Sequence, residues 1–350
     1  MRRHRPLAAA VFALSIVGLL VAGCGGGAKT GSGAGGADAA KIKIGLVFDV
    51  GGRGDKSFND AAYAGLERAM SELHVPKENI EYIEPGEGGD RESALRQLAS
   101  GPYDVIFGIG FLFSDDILAV AKDFPQKKFA CVDMNVPESG ELPPNVVALK
   151  FREEEGSYLV GALSAWTTKS KKVGFVGGMQ IPLIKKFEAG YAAGVHRADP
   201  AVSVDVKYAG VDGNAFKNPT KGKELALAIY GAGADIIYHA SGSTGLGVFE
   251  AANEKGRLAI GVDSDQQAEM PGRILTSMVK RVDVAVFDTI RDAIAGRFPG
   301  GQVHVLGLKE KGVDYVYDAN NQALIPADVH AKVEALRADI ESGAIVVPTE

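Results

Sequence analysis

Cysteine is scarce in this chain, with Cys24 and Cys131 the only two among 350 residues. Cys131 lies in the apolar run Phe129-Ala130-Cys131-Val132, the setting of a small core residue. A basic excess is missing too, since 38 Lys and Arg stand against 44 Asp and Glu, a formal charge of −6. Nucleic-acid binders need a basic face, so DNA and RNA are excluded as partners. The six histidines, at 4, 74, 196, 239, 304 and 330, are scattered with no His-x-x-x-His pair, and no metal site is expected. The phosphate-cradling loop Gly-x-x-x-x-Gly-Lys-[Ser/Thr] fails at Lys56-Ser57, where Val50 holds the first glycine position and Asp55 precedes the lysine. Neither Gly108-Ile109-Gly110 nor Gly242-Ser243-Thr244-Gly245-Leu246-Gly247 places Gly-x-Gly-x-x-Gly after a first strand, and no Gly-x-Ser-x-Gly elbow occurs. With ATP, nicotinamide and nucleophilic chemistry gone, no cofactor is expected and the chain does not read as an enzyme.

Long hydrophobic runs are absent as well. The longest, Leu7 to Val21, has 15 residues where a membrane-spanning helix needs about 20. Preceded by Arg2, Arg3 and Arg5, it reads as a signal peptide over residues 1–23. Val21-Ala22-Gly23-Cys24 resembles the lipobox of bacterial lipoproteins, which implies cleavage before Cys24 and acylation of that cysteine. Two or more acyl chains hold a protein stably on a membrane, each buried CH₂ contributing about 0.8 kcal/mol. Residues 24–40, the lipidated Cys24 and then Gly, Ala and Ser for the most part, form a flexible linker. The expected location is therefore extracytoplasmic, at the periplasmic face where the cell has an outer membrane. With Cys24 on lipid no internal disulfide is left, so the fold must rest on its core.

From Lys41 to Glu350, 310 residues suffice for about two domains. Short β-branched or aromatic runs alternate with amphipathic stretches, the form of parallel sheets covered by helices. Strands are expected near 41–48, 79–83, 104–108, 128–132 and 146–150. A second series follows near 172–177, 202–208, 235–239 and 257–262, then 274–279 and 303–317. Helices fall between them and near 326–342. The chain thus holds two doubly wound units and a tail that completes both. The expected division is an N-terminal lobe of 41–150 plus about 268–300 and a C-terminal lobe of 151–267 plus about 301–345. Three crossing segments would join them as a hinge.

In open α/β sheets the ligand crevice lies outside the carboxyl ends of the strands. Those ends are polar here: Asp49 to Asp60 after the first strand, then Asp133-Met134-Asn135, Gly177-Gly178-Met179, Gly213-Asn214-Ala215-Phe216, Ser241 to Gly245, Asp263 to Gln266, and Lys280 to Asp283. Ser57 with Asp60 reads as a capping box that starts a helix and places Phe58 and Asn59 in its first turn.

Phe48 to Asn59, with Gly-Gly followed by Asp-Lys-Ser-Phe-Asn, closely resembles the opening motif of the basic membrane protein family of bacterial lipoproteins, which includes the purine nucleoside receptor A proteins. Lys221-Gly222-Lys223-Glu224, Gly261 to Gln266 and Leu275 to Asp283 are similar to its later signatures, so the resemblance runs from about 41 to 345. It implies the type I periplasmic binding protein fold, two Rossmann-like lobes joined by three crossovers. It also implies a solute-binding protein that serves an ABC transporter permease, expected as a monomer, with a purine nucleoside as ligand. The pocket carried over by resemblance is Asp49, Phe58, Asn59, Asp133, Phe216, Gly242, Asp263 and Lys280. Phe58 and Phe216 would stack on the two faces of the base, Asn59 and Asp133 would meet its edge, and Asp263 and Lys280 would hold the ribose. Where the family often has a tryptophan and an Asp-Pro, this chain has Phe216-Lys217-Asn218-Pro219, which bears on base selectivity. The competing readings are the same fold binding a sugar or signal molecule, a surface receptor, a nucleoside hydrolase, and a lac-type repressor. The last would need an N-terminal helix-turn-helix where a signal peptide stands.

Overall fold

The computed structural model describes residues 39–84, 86 and 90–350; the signal peptide, Cys24 and nearly all of the linker lie outside them. Two six-stranded sheets form the frame. The first runs β2-β1-β3-β4-β5-β11, from Ile44–Val47 (β1), Ile80–Ile83 (β2), Val105–Ile109 (β3), Lys128–Val132 (β4), Val146–Phe151 (β5) and Val303–Leu306 (β11), every pair parallel. The second runs β7-β6-β8-β9-β10-β12, from Lys172–Met179 (β6), Ser203–Gly210 (β7), Ile236–Ala240 (β8), Leu258–Asp263 (β9), Ile274–Lys280 (β10) and Val313–Tyr315 (β12), with only β12 antiparallel to its neighbour. Parallel strands are buried on both faces and so read as unbroken apolar runs. Val105-Ile106-Phe107-Gly108-Ile109 and Ile236-Ile237-Tyr238-His239-Ala240 are buried throughout.

Nine helices are described: Phe58–Glu72 (α1), Arg91–Ser100 (α2), Ser114–Asp123 (α3), Glu153–Thr167 (α4), Pro182–Ala198 (α5), Pro219–Gly231 (α6), Thr244–Lys255 (α7), Val282–Ile294 (α8) and Ala327–Glu341 (α9). Helix α4 opens on Glu153-Glu154-Glu155, carboxylates that favour the positive end of the helix dipole. It packs against α5 and α9 in the second lobe, whereas α8 packs against α1 in the first.

The chain crosses between lobes at Arg152, at Arg281 and over residues 307–312. These crossings are laced together: Arg152 N–H donates to Leu306 O at 3.0 Å, Arg281 N–H to Gly312 O at 2.8 Å, and Leu308 N–H to Glu155 Oε2 at 2.8 Å. The doubly wound lobes with three crossovers follow the expectation, but the division of the tail does not. Residues 274–280 extend the second sheet beside β9, so the segment expected at about 268–300 in the first lobe gives its strand to the second and only its helix to the first. Conversely β11, from the segment expected in the second lobe, pairs with β5 in the first. A strand goes where a parallel edge is open, and that is a tertiary fact absent from local pattern.

Candidate functional site

The carboxyl ends of both sheets face each other across a cleft holding about 550 Å³ of empty space, part of it open to solvent. All of Asp49, Phe58, Asn59, Asp133, Phe216, Gly242, Asp263 and Lys280 line this one cavity. The same walls include Phe111, Leu183 and Phe187, which sequence reasoning passed over because it followed polar strand ends. Phe111 could have been found by position, since it comes two residues after β3. Leu183 and Phe187 sit four apart on one face of α5.

The loop after β1 is built around Asp55. Its carboxylate, 3% exposed, accepts from the backbone N–H groups of Ser57, Asn59 and Asp60 at 2.8–3.1 Å, and so caps α1. The expected cap, Ser57, makes no such bond. Its hydroxyl instead donates to Asp263 Oδ2 at 2.5 Å in the opposite lobe. Asp60 accepts from Arg53 Nε and from the N–H groups of Gly54 and Lys56, each at 3.0 Å, and holds the loop rather than the helix end. Asn59 Oδ1 accepts from Asp49 N–H at 2.9 Å, while one amide N–H goes to Asp55. Gly110, at φ +109°, makes room for Asp49, because a Cβ there would lie 2.1 Å from Asp49 Oδ2. On the far wall Phe216 lies over the bare Cα of Gly178, and its ring meets Phe111 edge-on with centroids 6.3 Å apart. Gly242, at φ +55°, sits against the Phe216 carbonyl.

One cation dominates the electrostatics. Lys280, 2% exposed at the end of β10, lies 2.5 Å from Asp133 Oδ2 and 3.2 Å from Glu153 Oε1. Its ammonium faces the rings of Phe58, Phe151 and Phe187 at 5.1, 5.1 and 5.6 Å. Burial alone would push the lysine pKa down, but Asp133, Glu153 and Asp263 outweigh it and hold it above the usual lysine range. Burial likewise raises Asp133, Lys280 offsetting only part of the effect. Burial opposes ionisation of Glu153 too, yet Lys280 and Lys186 together keep its pKa below the usual range. Burial lifts Asp49 and Asp263 to about 7 each, so near neutrality each can donate or accept a hydrogen bond. Asp133 Oδ1 is buried with no partner of its own, an acceptor left over at the cavity wall.

This arrangement, flat rings on both sides and acids around one lysine, suits a small uncharged ligand with an aromatic part and hydroxyl groups. Residues 41–349 match the model of the ABC transporter substrate-binding protein PnrA-like family. The chain belongs to that family. Among its relatives, the ABC transporter nucleoside-binding protein BmpA of Lactococcus lactis is 33% identical, over 99% of this chain and all of that protein. A lipoprotein of Pyrococcus abyssi is 40% identical, over 87% of this chain and 76% of its own. Among solved structures, an ABC transporter solute-binding protein from Aeropyrum pernix K1 superposes with a TM-score of 0.77 at 33% identity, covering 88% of this chain and 94% of that one. The membrane protein family of the sequence resemblance and the two-lobed fold are thus both in place, and the chain is a substrate-binding protein by family. Among the described residues no helix is long and apolar enough to cross a membrane.

Proposed function

We propose that this chain binds purine nucleosides in the interlobe cleft, is held outside the cytoplasm by a lipid on Cys24, and delivers its ligand as a monomer to an ABC permease. The observation that carries the reading is the convergence of Phe58 and Phe216, from opposite lobes, on a cavity whose polar groups are Asp49, Asn59, Asp133, Asp263 and Lys280. Stacking on an aromatic side chain is worth about 1–3 kcal/mol per base. Asp263 and Lys280 are suited to the ribose hydroxyls, and Asp133 Oδ1 with the second amide N–H of Asn59 to the base edge. The lysine of the cavity is already bound to Asp133 and Glu153, so a phosphate finds no unpaired cation among the described residues of the lining and nucleosides are preferred to nucleotides. The relative named as nucleoside-binding and the relative named as a lipoprotein support the ligand and the anchor.

Isothermal titration with guanosine, inosine and adenosine tests the ligand. At least one should give saturable heat at roughly 50 μM, where a micromolar complex is well populated, and guanosine monophosphate should bind far more weakly. Phe58→Ala should weaken binding by about 5- to 100-fold, the loss of one stacking face. No heat with any of the three nucleosides overturns the proposal. Cys24→Ser should release the protein from membranes into the soluble fraction.

A further inference from the structure

Three buried polar side chains of the second lobe, Ser241, His239 and Gln266, form a connected line. His239, in the body of β8, is fully buried, and Gln266, three residues past β9, is 1% exposed. Val262 N–H donates to Gln266 Oε1 at 2.8 Å, which identifies that atom as the oxygen. His239 Nε2, 3.1 Å from the same oxygen, therefore carries the hydrogen, and Nδ1 is left to accept from Ser241 Oγ at 3.4 Å. Burial lowers the imidazole to about 4 and keeps it in this neutral form. Gln266 Nε2 then donates across the lobe boundary to Lys56 O at 2.9 Å, and beside it Ser264 Oγ donates to Ser57 O at 3.0 Å. Lys56 (φ 56°) and Asp263 (φ 63°) flank this contact, both non-glycine residues in the left-handed region that persist only where their surroundings impose it.

Ser241 is part of the cavity wall. A chain of donors thus runs from that wall through His239 and Gln266 to the backbone of the opposite lobe. We propose that His239 and Gln266 are positioning residues that couple the cavity wall at Ser241 to lobe closure at Lys56. The bonds that close the lobes fix the Ser241 hydroxyl, and a ligand that engages the wall strengthens the lobe contact in return. The coupling rests on the cleft being the ligand site, but not on which ligand fills it.

Two variants test it: Gln266→Met, which keeps side-chain length and removes both polar atoms, and His239→Phe, which cuts the link to Ser241 and leaves Gln266 Oε1 with Val262 N–H as its donor. Spin labels on Lys122→Cys and Asn253→Cys, exposed positions one per lobe, report the interlobe distance by pulsed electron resonance in buffer and across a guanosine titration. The expected result is a smaller closed fraction in Gln266→Met than in the parent at equal guanosine, a dissociation constant raised roughly tenfold as for one lost buried hydrogen bond, and the same changes in smaller measure in His239→Phe. A Gln266→Met protein, folded by circular dichroism, with the parent's distances and affinity would overturn the coupling. So would a His239→Phe protein that matches the parent while Gln266→Met opens. If guanosine, inosine and adenosine leave the parent's distances unchanged, the nucleoside reading falls, and the distances in buffer alone decide the relay.

Discussion

Lys280 is where the charges of the cleft meet, and its removal should cost more than a surface lysine's. Lys280→Met would strand Asp133 as a buried carboxylate and leave Glu153 to Lys186 alone, a loss of about 3–5 kcal/mol, to be read from urea unfolding at constant m-value. An unchanged midpoint would mean that water screens the three groups. Asp263 gives a second residue-scale expectation, with its sign set by burial. Its folded pKa of about 7 lies above the ordinary 3.8, so between those values the folded protein holds a proton that the unfolded chain has released. Stability contributed by Asp263 is then lost as pH rises from about 4 to about 7, by on the order of 4 kcal/mol at most. The stability of the wild type relative to Asp263→Asn should fall across that window; a difference independent of pH would remove the raised pKa. At this scale the site was largely legible, because strand ends and motif resemblance both pointed at Asp49, Asp133, Asp263 and Lys280. Ser57 was not, since only the folded loop reveals that Asp55 takes the capping N–H groups and frees the hydroxyl to reach the other lobe.

At the scale of elements, α4 and α5 approach so closely that their backbones nearly touch. A Cβ at Gly194 would lie 2.0 Å from the Tyr158 carbonyl oxygen, and one at Gly190 2.2 Å from that of Glu154. A backbone oxygen cannot rotate away, so Gly194→Leu should destabilise by about 3 kcal/mol or more, at the upper end for overpacking. The midpoint of urea or thermal unfolding measures this, and a near-wild-type midpoint would mean that the helix pair can slide apart. This contact also positions the site, because α4 begins at Glu153 beside Lys280 and α5 carries Leu183 and Phe187 into the cavity. The positions of the elements themselves were readable, β3 expected near 104–108 and found at Val105–Ile109 being typical. Sheet membership of β10 and β11 was not, because each reads as a short apolar strand and nothing in either says which open edge it will join.

For the molecule as a whole, three crossings decide how the lobes share their stability. Neither lobe is a continuous stretch of chain: the first needs β11 and α8, which arrive after most of the second is made, and the second needs β12 and α9 from the very end. One buried apolar cluster joins residues of both, among them Leu46 and Phe107 from the first lobe and Phe175 and Tyr191 from the second. Unfolding one lobe would pull the crossing strands from the other and expose this shared core, so the two should melt together. Calorimetry of the chain is expected to give a single endotherm. A ligand held between the lobes then stabilises both at once: at a hundred times its dissociation constant it adds about 2.7 kcal/mol, enough to move the whole transition upward by a few degrees for a chain of this size, and on the proposed function guanosine is expected to do so. Two resolved endotherms, with guanosine shifting only one, would place the ligand on a single lobe and would show that the crossings act as tethers rather than as structural parts of both.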